Sequence, residues 1–305
     1  MNWIDKTDAY HHADSSIHQL ASNYTQGSLD ITISAINLIQ QYLEAETHQS
    51  PTDYKTSIMQ LLEQIKSAQP SMAFIITYFE NLSYLLEHSQ FTSLKTFKEK
   101  ITTFHKTFLD SIKNAPYQIA DHITPLIPPQ AIITTFSNSS TISIILSVLK
   151  QKGKDFIVYC SESRPKYEGT MFAELLCNKK IKTVLMTDAE LFSSIEETTV
   201  LLIGADTICR NGILNKIGTK SLATLADLNY IPVYVACHDE KILSYDKKSP
   251  PIVTQNSTDI LSQHPANLLI RNHYFDITPL SLITKVVTQS KVYAITELLS
   301  TMKNK

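Results

Sequence analysis

The stretch TVLLIGADTICRNGILNKIGT, residues 199–219, decides the fold of this chain. It opens with a near-continuous apolar run, which is typical of a strand buried on both faces of a parallel sheet. Gly204 and Ala205 then leave the strand, and Asp206 follows at its carboxyl end. Because ligands of parallel sheets bind at the carboxyl ends of strands, Asp206 is predicted to face a ligand crevice.

Similar short apolar runs before and after this stretch predict more strands, with helical segments between them. The predicted strands are residues 131–136, 155–160, 182–186, 199–203, 232–236 and 267–270. The predicted helices between and after them are residues 139–152, 168–179, 189–195, 217–229 and 279–289. Alternation of strands and helices indicates a parallel sheet flanked by helices, which places the chain in the α/β class.

The chain before the proline-rich break PLIPPQ, residues 125–130, has a different pattern. Its apolar residues recur with helical spacing, which predicts amphipathic helices packed on one another. The predicted helices begin near Ser28, Pro51, Pro70 and residue 91, with Ser28 as a candidate N-cap and proline suited to a first helical turn.

Three polar groups follow predicted strands, and each has a structural alternative. Ser137, Asn138, Ser139 and Ser140 enter a helix, where they either cap it or hold an anion. Arg164, in the segment ESRP, is placed either to bind phosphate with its planar guanidinium or to pair with Glu162 or Glu168.

Lys216 is the third of these polar residues, and it lies ten positions beyond Asp206. The two residues are either a base and an anion holder or a structural salt bridge. Asn215 precedes Lys216, and Thr219 is a possible helix cap.

Composition excludes several classes of protein. The 305 residues include only six glycines, and Gly169, Gly204, Gly212 and Gly218 lie within 50 residues of one another, which indicates a backbone-defined site there. The formal net charge of −2 gives no electrostatic case for nucleic acid or an anionic membrane. The polar first residues predict no signal peptide, and no apolar run has the length of a membrane span.

The four cysteines, without a CxxC pair, predict reduced and buried thiols in a cytosolic protein. The histidines lack metal-ligand spacing, so no metal site and no cofactor are predicted.

The motifs GADxxxxNGxxxNKIGT and ESRPxxEG, with the ending YFDITP at residues 274–279, resemble one family. It joins the alpha, beta and delta subunits of eukaryotic initiation factor 2B to two sugar-phosphate isomerases, which act on methylthioribose-1-phosphate and ribose-1,5-bisphosphate. The resemblance implies a helical N-terminal domain, residues 1–124, followed by a Rossmann-like α/β domain with the ligand crevice, residues 125–305. It also implies a homodimer formed through the C-terminal domain.

Side chains at the implied site divide between the branches of this family. The resemblance implies that Asp206 matches the catalytic aspartate of the isomerases, whereas Ser137 stands where they have the catalytic cysteine. A thiol reaches the thiolate far more readily than an alcohol ionises, so serine is a poorer proton shuttle. Asn215, Lys216 and Arg164 match the isomerases, and Cys209 is a weaker candidate for a replacement thiol.

The phosphate-binding residues also differ. The segment Gln26-Gly27-Ser28 stands in place of an Arg-Gly-Ala segment, and Gln69 stands in place of a second arginine. Glutamine keeps hydrogen bonding but lacks the charge and the two-pronged geometry of arginine.

These features favour an initiation factor 2B alpha-like regulatory protein that binds a sugar phosphate or nucleotide without isomerase activity. The alternative is an aldose-ketose isomerase acting on ribose-1,5-bisphosphate or methylthioribose-1-phosphate, with Asp206 as base and an acid other than cysteine. A cytoplasmic location, a translation-factor partner and the absence of nucleic-acid or membrane binding complete the prediction.

Overall fold

The computed structural model describes residues 28–45, 50–68 and 72–305. Its first part is helical, as predicted, and contains α1 (Ser28–Ala45), α2 (Pro51–Ala68), α3 (Ala73–His88) and α4 (Leu94–Ile123). Apolar side chains at helical spacing on all four helices form one buried cluster, in which Ile36, Ile58, Phe74 and Phe97 are fully buried. Among the described residues, no helix combines the length and hydrophobicity that a membrane crossing requires.

His105 on α4 is a buried histidine of this helical cluster. Its Nε2 lies 2.7 Å from the Tyr78 hydroxyl, and its Nδ1 lies 3.0 Å from Gln40 Oε1. Burial disfavours the charged imidazolium and lowers the pKa of His105 to about 4. The unfolded chain therefore binds a proton between pH 6.5 and pH 4 that the folded chain does not bind.

We expect His105 to cost the fold roughly 3 kcal/mol of stability as the pH falls from 7.5 to 4. Urea unfolding at pH 7.5, 6 and 4.5 measures this loss, and the His105→Gln variant should show a flatter dependence of stability on pH. His88→Gln, which changes an exposed histidine, serves as the control. Equal pH slopes for wild type and His105→Gln would contradict the prediction.

The second part of the chain contains ten strands and five more helices. The strands are β1 (Ala131–Thr134), β2 (Phe156–Ser161), β3 (Thr183–Met186), β4 (Val200–Ile203), β5 (Thr207–Cys209), β6 (Gly212–Lys216), β7 (Val233–Ala236), β8 (Phe275–Thr278), β9 (Lys285–Val287) and β10 (Val292–Tyr293). The helices are α5 (Ser140–Gln151), α6 (Glu168–Asn178), α7 (Asp188–Ser193), α8 (Thr219–Leu228) and α9 (Ile295–Lys303).

Seven of the strands form a sheet in the order β10-β9-β7-β4-β1-β2-β3. All neighbouring pairs are parallel except β10 with β9. The chain builds the sheet outward from β1 on one side and from β4 on the other, so its direction reverses between these two strands. A crevice is expected at such a reversal, outside the carboxyl ends of the strands. The order confirms the predicted α/β class with a mostly parallel sheet.

The sequence prediction was wrong at two places near the C-terminus. Residues 267–270 form no strand, and Leu269 is 91% exposed, so this apolar run has no neighbouring strand to bury it. Residues 279–289, predicted as a helix, instead hold a short 3-10 turn and strand β9. Val286 and Val287 are β-branched and pair with β7, because such side chains suit a pleated, buried surface.

Strands β5, β6 and β8 form a small antiparallel sheet that the sequence did not predict. A two-residue turn at Arg210 and Asn211 joins β5 to β6. Gly212 begins β6 with a φ of +141°, and a Cβ there would lie 2.3 Å from the Thr278 carbonyl oxygen. A side chain is therefore excluded at this position, and the sheet fixes Asn215 and Lys216 at the end of β6.

Candidate functional site

A cleft lies where β1 and β4 end, between the parallel sheet and the first residues of α1. The residues that line it are Ser28, Leu29, Met72, Phe136, Ser137, Asn138, Ser139, Ser140, Thr141, Glu168, Gly204, Ala205, Asp206, Asn215, Lys216, Lys241, Tyr274 and Phe275. Residues from both the helical part and the sheet part of the chain therefore form its walls. The reversal of chain direction between β1 and β4 positions the cleft.

Ser137 occupies the sharp turn between β1 and α5. Its φ of +69° is in the left-handed region, which non-glycine residues adopt uncommonly and often at functional sites. The Ser137 N–H donates to Ser163 Oγ at 3.0 Å, and the Ser137 hydroxyl donates to Glu168 Oε1 at 3.2 Å. These bonds fix the turn and direct the hydroxyl toward a carboxylate.

The beginning of α5 supplies the polar end of the cleft. Ser139 caps the helix, because its Oγ accepts from the Ile142 N–H at 3.3 Å. Gly204, directly after β4, lies close to the capping residue Ser139. A Cβ at position 204 would lie 3.1 Å from Ser139 Oγ, so glycine permits this close approach. The N–H groups of a first helical turn lack partners within the helix and favour negative charge. This end of the cleft therefore suits a phosphate.

Glu168 and Lys216 form a buried ion pair beside Ser137. Both side chains are almost fully buried, at 5% and 6% exposure. Burial raises the pKa of the Glu168 carboxyl, an effect that the Lys216 ammonium opposes. The Lys216 Nζ also lies 5.5 Å from the centre of the Tyr274 ring. Asn215 beside it donates to Thr219 Oγ1 at 3.1 Å, which fixes the end of β6.

Asp206 and Lys241 also line the cleft. The Lys241 Nζ is buried and donates to Ser28 Oγ at 2.7 Å and to the Ala205 carbonyl at 2.6 Å. Burial raises the pKa of Asp206, while the charge of Lys241 and a hydrogen bond with Ser28 lower it. Burial lowers the pKa of Lys241, and Asp206 and Asp30 oppose that shift. Lys241 thus ties α1 to the end of β4.

Most of the predicted site residues come together in this cleft. Its lining includes Ser28, Ser137, Asn138, Ser139, Ser140, Asp206, Asn215 and Lys216. Arg164 does not line it, because its guanidinium lies 4.8 Å from the Tyr167 ring and donates to the Tyr167 hydroxyl. Gln26, Gly27 and Gln69 lie outside the described residues.

Cysteines contribute no thiol to the lining. Cys209 is buried in β5, where its Sγ contacts the Gly212 carbonyl at 3.4 Å and Ser249 Oγ at 3.1 Å. Burial raises the pKa of both Cys160 and Cys237 to about 12, so neither thiol ionises readily. The prediction that all four cysteines are buried was wrong for Cys177, which is exposed on α6.

The sequence prediction missed two residues of the site. Glu168 was considered only as a partner for Arg164, and Lys241 was given no role. The signal for Glu168 was its place in the ESRPxxEG motif, next to a glycine. The signal for Lys241 was weaker, namely its position five residues beyond the carboxyl end of β7. This position does not predict its contact with Ser28, because only the folded chain brings the two residues together.

Gly169 holds Glu168 in place by a close backbone approach. A Cβ on Gly169 would lie 1.8 Å from the Ser161 carbonyl oxygen, whereas one on Gly153 would meet nothing within 4 Å. We expect Gly169→Ala to lower the free energy of unfolding by about 2 kcal/mol, as overpacking does. Gly153→Ala should cost roughly 1 kcal/mol, from its φ of +75° alone. Urea unfolding compares the two variants, and a smaller loss for Gly169→Ala would contradict the prediction.

Known proteins resemble this chain over most of its length. Residues 24–292 match the sequence pattern of the Initiation factor 2 subunit family. A translation initiation factor eIF-2B subunit 2-like protein of Pyrococcus furiosus is 30% identical over 241 residues, which cover 78% of this chain and 81% of that protein. The ribose 1,5-bisphosphate isomerase of Methanocaldococcus jannaschii is 25% identical over 277 residues, which cover 87% and 85%.

The fold of this chain also matches the folds of solved structures. The crystal structure of 5-methylthioribose 1-phosphate isomerase from Pyrococcus horikoshii OT3 matches with a TM-score of 0.80 at 20% identity, over 96% of this chain and 87% of that chain. Solved structures described as translation initiation factor eIF-2B and as 5-methylthioribose 1-phosphate isomerase, both from Pyrococcus horikoshii OT3, each match this fold with a TM-score of 0.80. The match over residues 24–292 shows that the chain belongs to the Initiation factor 2 subunit family.

Proposed function

We propose that this protein is an initiation factor 2B alpha-like regulatory protein, which binds a phosphorylated sugar or nucleotide in the cleft and does not isomerise it. The observation that carries this proposal is the side chain at the turn after β1. Ser137 holds a hydroxyl there, and this hydroxyl donates to Glu168 Oε1 at 3.2 Å.

Aldose-ketose isomerisation moves hydrogen between two carbons and needs both an acid and a base near the sugar. Asp206 can serve as a base, but an alcohol at residue 137 ionises far less readily than a thiol. Among the described lining residues, none is cysteine or histidine. Groups that can bind a phosphorylated ligand do line the cleft. They are the start of α5 and the hydroxyls of Ser28, Ser137 and Ser140.

A second candidate function is an isomerase in which Glu168 replaces the thiol. Two carboxyls line the cleft, and burial raises the pKa of both Asp206 and Glu168. A carboxyl with a raised pKa is suited to proton transfer near neutral pH. In this candidate, Asp206 abstracts the proton, and Glu168 supplies one.

One assay separates the two functions. Purified protein is incubated with ribose-1,5-bisphosphate and with methylthioribose-1-phosphate, ketose formation is followed, and binding is measured by calorimetry. The regulatory proposal expects saturable binding of at least one of the two sugars and no ketose from either. Turnover that is lost in Asp206→Asn and in Glu168→Gln, but kept in the exposed control Asp227→Asn, would overturn it in favour of the isomerase.

We also infer a homodimer, a cytoplasmic location and a translation-factor partner, all consistent with an alpha-like subunit. An apolar surface on the edge of the sheet supports the dimer. Met171 and Leu175 on α6 are exposed there, as are Val184 and Leu185 on the edge strand β3. Light scattering of wild type and Leu185→Arg tests the dimer, and a pull-down against initiation factor 2 tests the partner.

A further inference from the structure

Glu168 keeps one carboxylate oxygen without a partner inside the cleft. Its Oε1 accepts from Ser137 and pairs with Lys216. Its Oε2 is buried and has no hydrogen-bond partner among the residues that the structure describes. The residue is only 3% exposed and still lines the cleft. A buried polar atom without a partner is costly, so Oε2 calls for a hydrogen-bond donor from a ligand.

The charges of the cleft walls cancel. Of the described residues that line it, Glu168 and Asp206 are acidic, and Lys216 and Lys241 are basic. Lys216 is paired with Glu168, and the charge of Lys241 acts on Asp206. Asp30 adds a further carboxyl, which lies near Lys241 and hydrogen-bonds with Ser140 at the start of α5. Each lysine therefore already has a nearby carboxylate, and neither provides an uncompensated positive charge for an anion.

Arginine is scarce in the whole chain. The sequence contains three arginines, Arg164, Arg210 and Arg271, and none in the first 163 residues. Arg164 stacks on Tyr167 and does not line the cleft. The first turn of α5 is consequently the part of the described cleft that favours an anion most.

We propose that Glu168 is a specificity-determining residue, which makes the cleft select a sugar with a single phosphate and reject the corresponding bisphosphate. This inference rests on the proposed binding function. The phosphate lies at the start of α5, and a sugar hydroxyl donates to Glu168 Oε2. A second phosphate would add about two negative charges to a cleft in which each lysine already has a nearby carboxylate. Like charges in a partly buried site repel strongly.

Calorimetry with two matched sugars tests this proposal on the wild-type protein. Ribose-1-phosphate and ribose-1,5-bisphosphate differ by one phosphate group. We expect the monophosphate to bind at least tenfold more tightly than the bisphosphate. Equal affinity, or tighter binding of the bisphosphate, would overturn the selectivity and leave the binding function intact. Failure of both sugars to bind would overturn the selectivity and the binding function together.

Two variants assign the selectivity to Glu168. Glu168→Gln removes the negative charge that pairs with Lys216, so the Lys216 charge becomes available to a phosphate. The variant should bind the bisphosphate at least fivefold more tightly, and the difference in affinity between the two sugars should become smaller. Glu162→Gln makes the same change six residues earlier, outside the cleft lining, and should leave the difference in affinity between the two sugars unchanged. Circular dichroism checks that both variants fold. If the folded Glu168→Gln variant keeps the wild-type difference in affinity between the two sugars, Glu168 does not set the selectivity.

Discussion

Replacing Lys241 with methionine is expected to lower the free energy of unfolding by about 4 kcal/mol, because it breaks a buried charge network from one side. The ammonium donates to Ser28 Oγ and to the Ala205 carbonyl, and it compensates the carboxyls of Asp206 and Asp30. Methionine fills similar space but offers no donor. The two carboxyls then lose their compensating charge, and the two oxygens lose their donor.

The same change should abolish sugar-phosphate binding, because Lys241 joins α1 to the end of β4 across the cleft. Urea unfolding measures stability, and calorimetry at a temperature where the variant is folded measures binding. Lys152→Met is the control, because Lys152 pairs with Asp121 at 2.5 Å on the surface. An exposed pair of this kind contributes about 0–1 kcal/mol. A similar loss in both variants would contradict the role of Lys241.

A double variant separates charge from packing. If the loss in Lys241→Met comes from uncompensated carboxyls, Lys241→Met with Asp206→Asn should recover part of the stability. Independent effects would instead simply add. Additivity within the error of the measurement would mean that Lys241 and Asp206 do not interact.

The sequence predicted the parts of the fold that depend on local pattern. Continuous apolar runs such as residues 199–203 identify buried parallel strands, and helical spacing identifies the amphipathic helices before residue 125. It failed for residues 279–289, where the pairing of β9 with β7 outweighed a weak helical pattern. It also failed for residues 267–270, because hydrophobicity alone does not provide a neighbouring strand.

The candidate site was predictable where it follows strand ends. Asp206 and Ser137 were identified because each follows a strand of the sheet and because their motifs resemble a known family. Lys241 was not identified, since its partners Ser28 and Ala205 are 213 and 36 residues away in the sequence. The Glu168–Lys216 pair was missed for a related reason. The sequence offered Asp206 as a partner for Lys216 and Arg164 as a partner for Glu168, and only the fold decides between such pairings.

Replacing Lys216 with methionine is the second change with a large expected effect. It leaves Glu168 charged, buried and without its cation, which should cost about 4 kcal/mol at pH 8. The cost should shrink on acidification. Burial already raises the pKa of Glu168, and removal of Lys216 raises it further, so the folded variant binds a proton that the unfolded chain binds only near pH 4.5. The stability of the variant relative to wild type should therefore rise as the pH falls from 8 to 5.

Removing both charges should restore most of the stability at every pH. Lys216→Met with Glu168→Gln leaves no buried charge, and the glutamine oxygen still accepts from Ser137. Replacement of both partners of a buried pair by uncharged residues is often nearly neutral, so we expect the double variant within about 1–2 kcal/mol of wild type. The surface pair of Lys291 with Glu297 is the control, because Lys291→Met should cost less than about 1 kcal/mol. A double variant less stable than Lys216→Met at pH 8 would show that desolvation of Glu168 does not cause the loss, and the pair would then matter for packing rather than for charge.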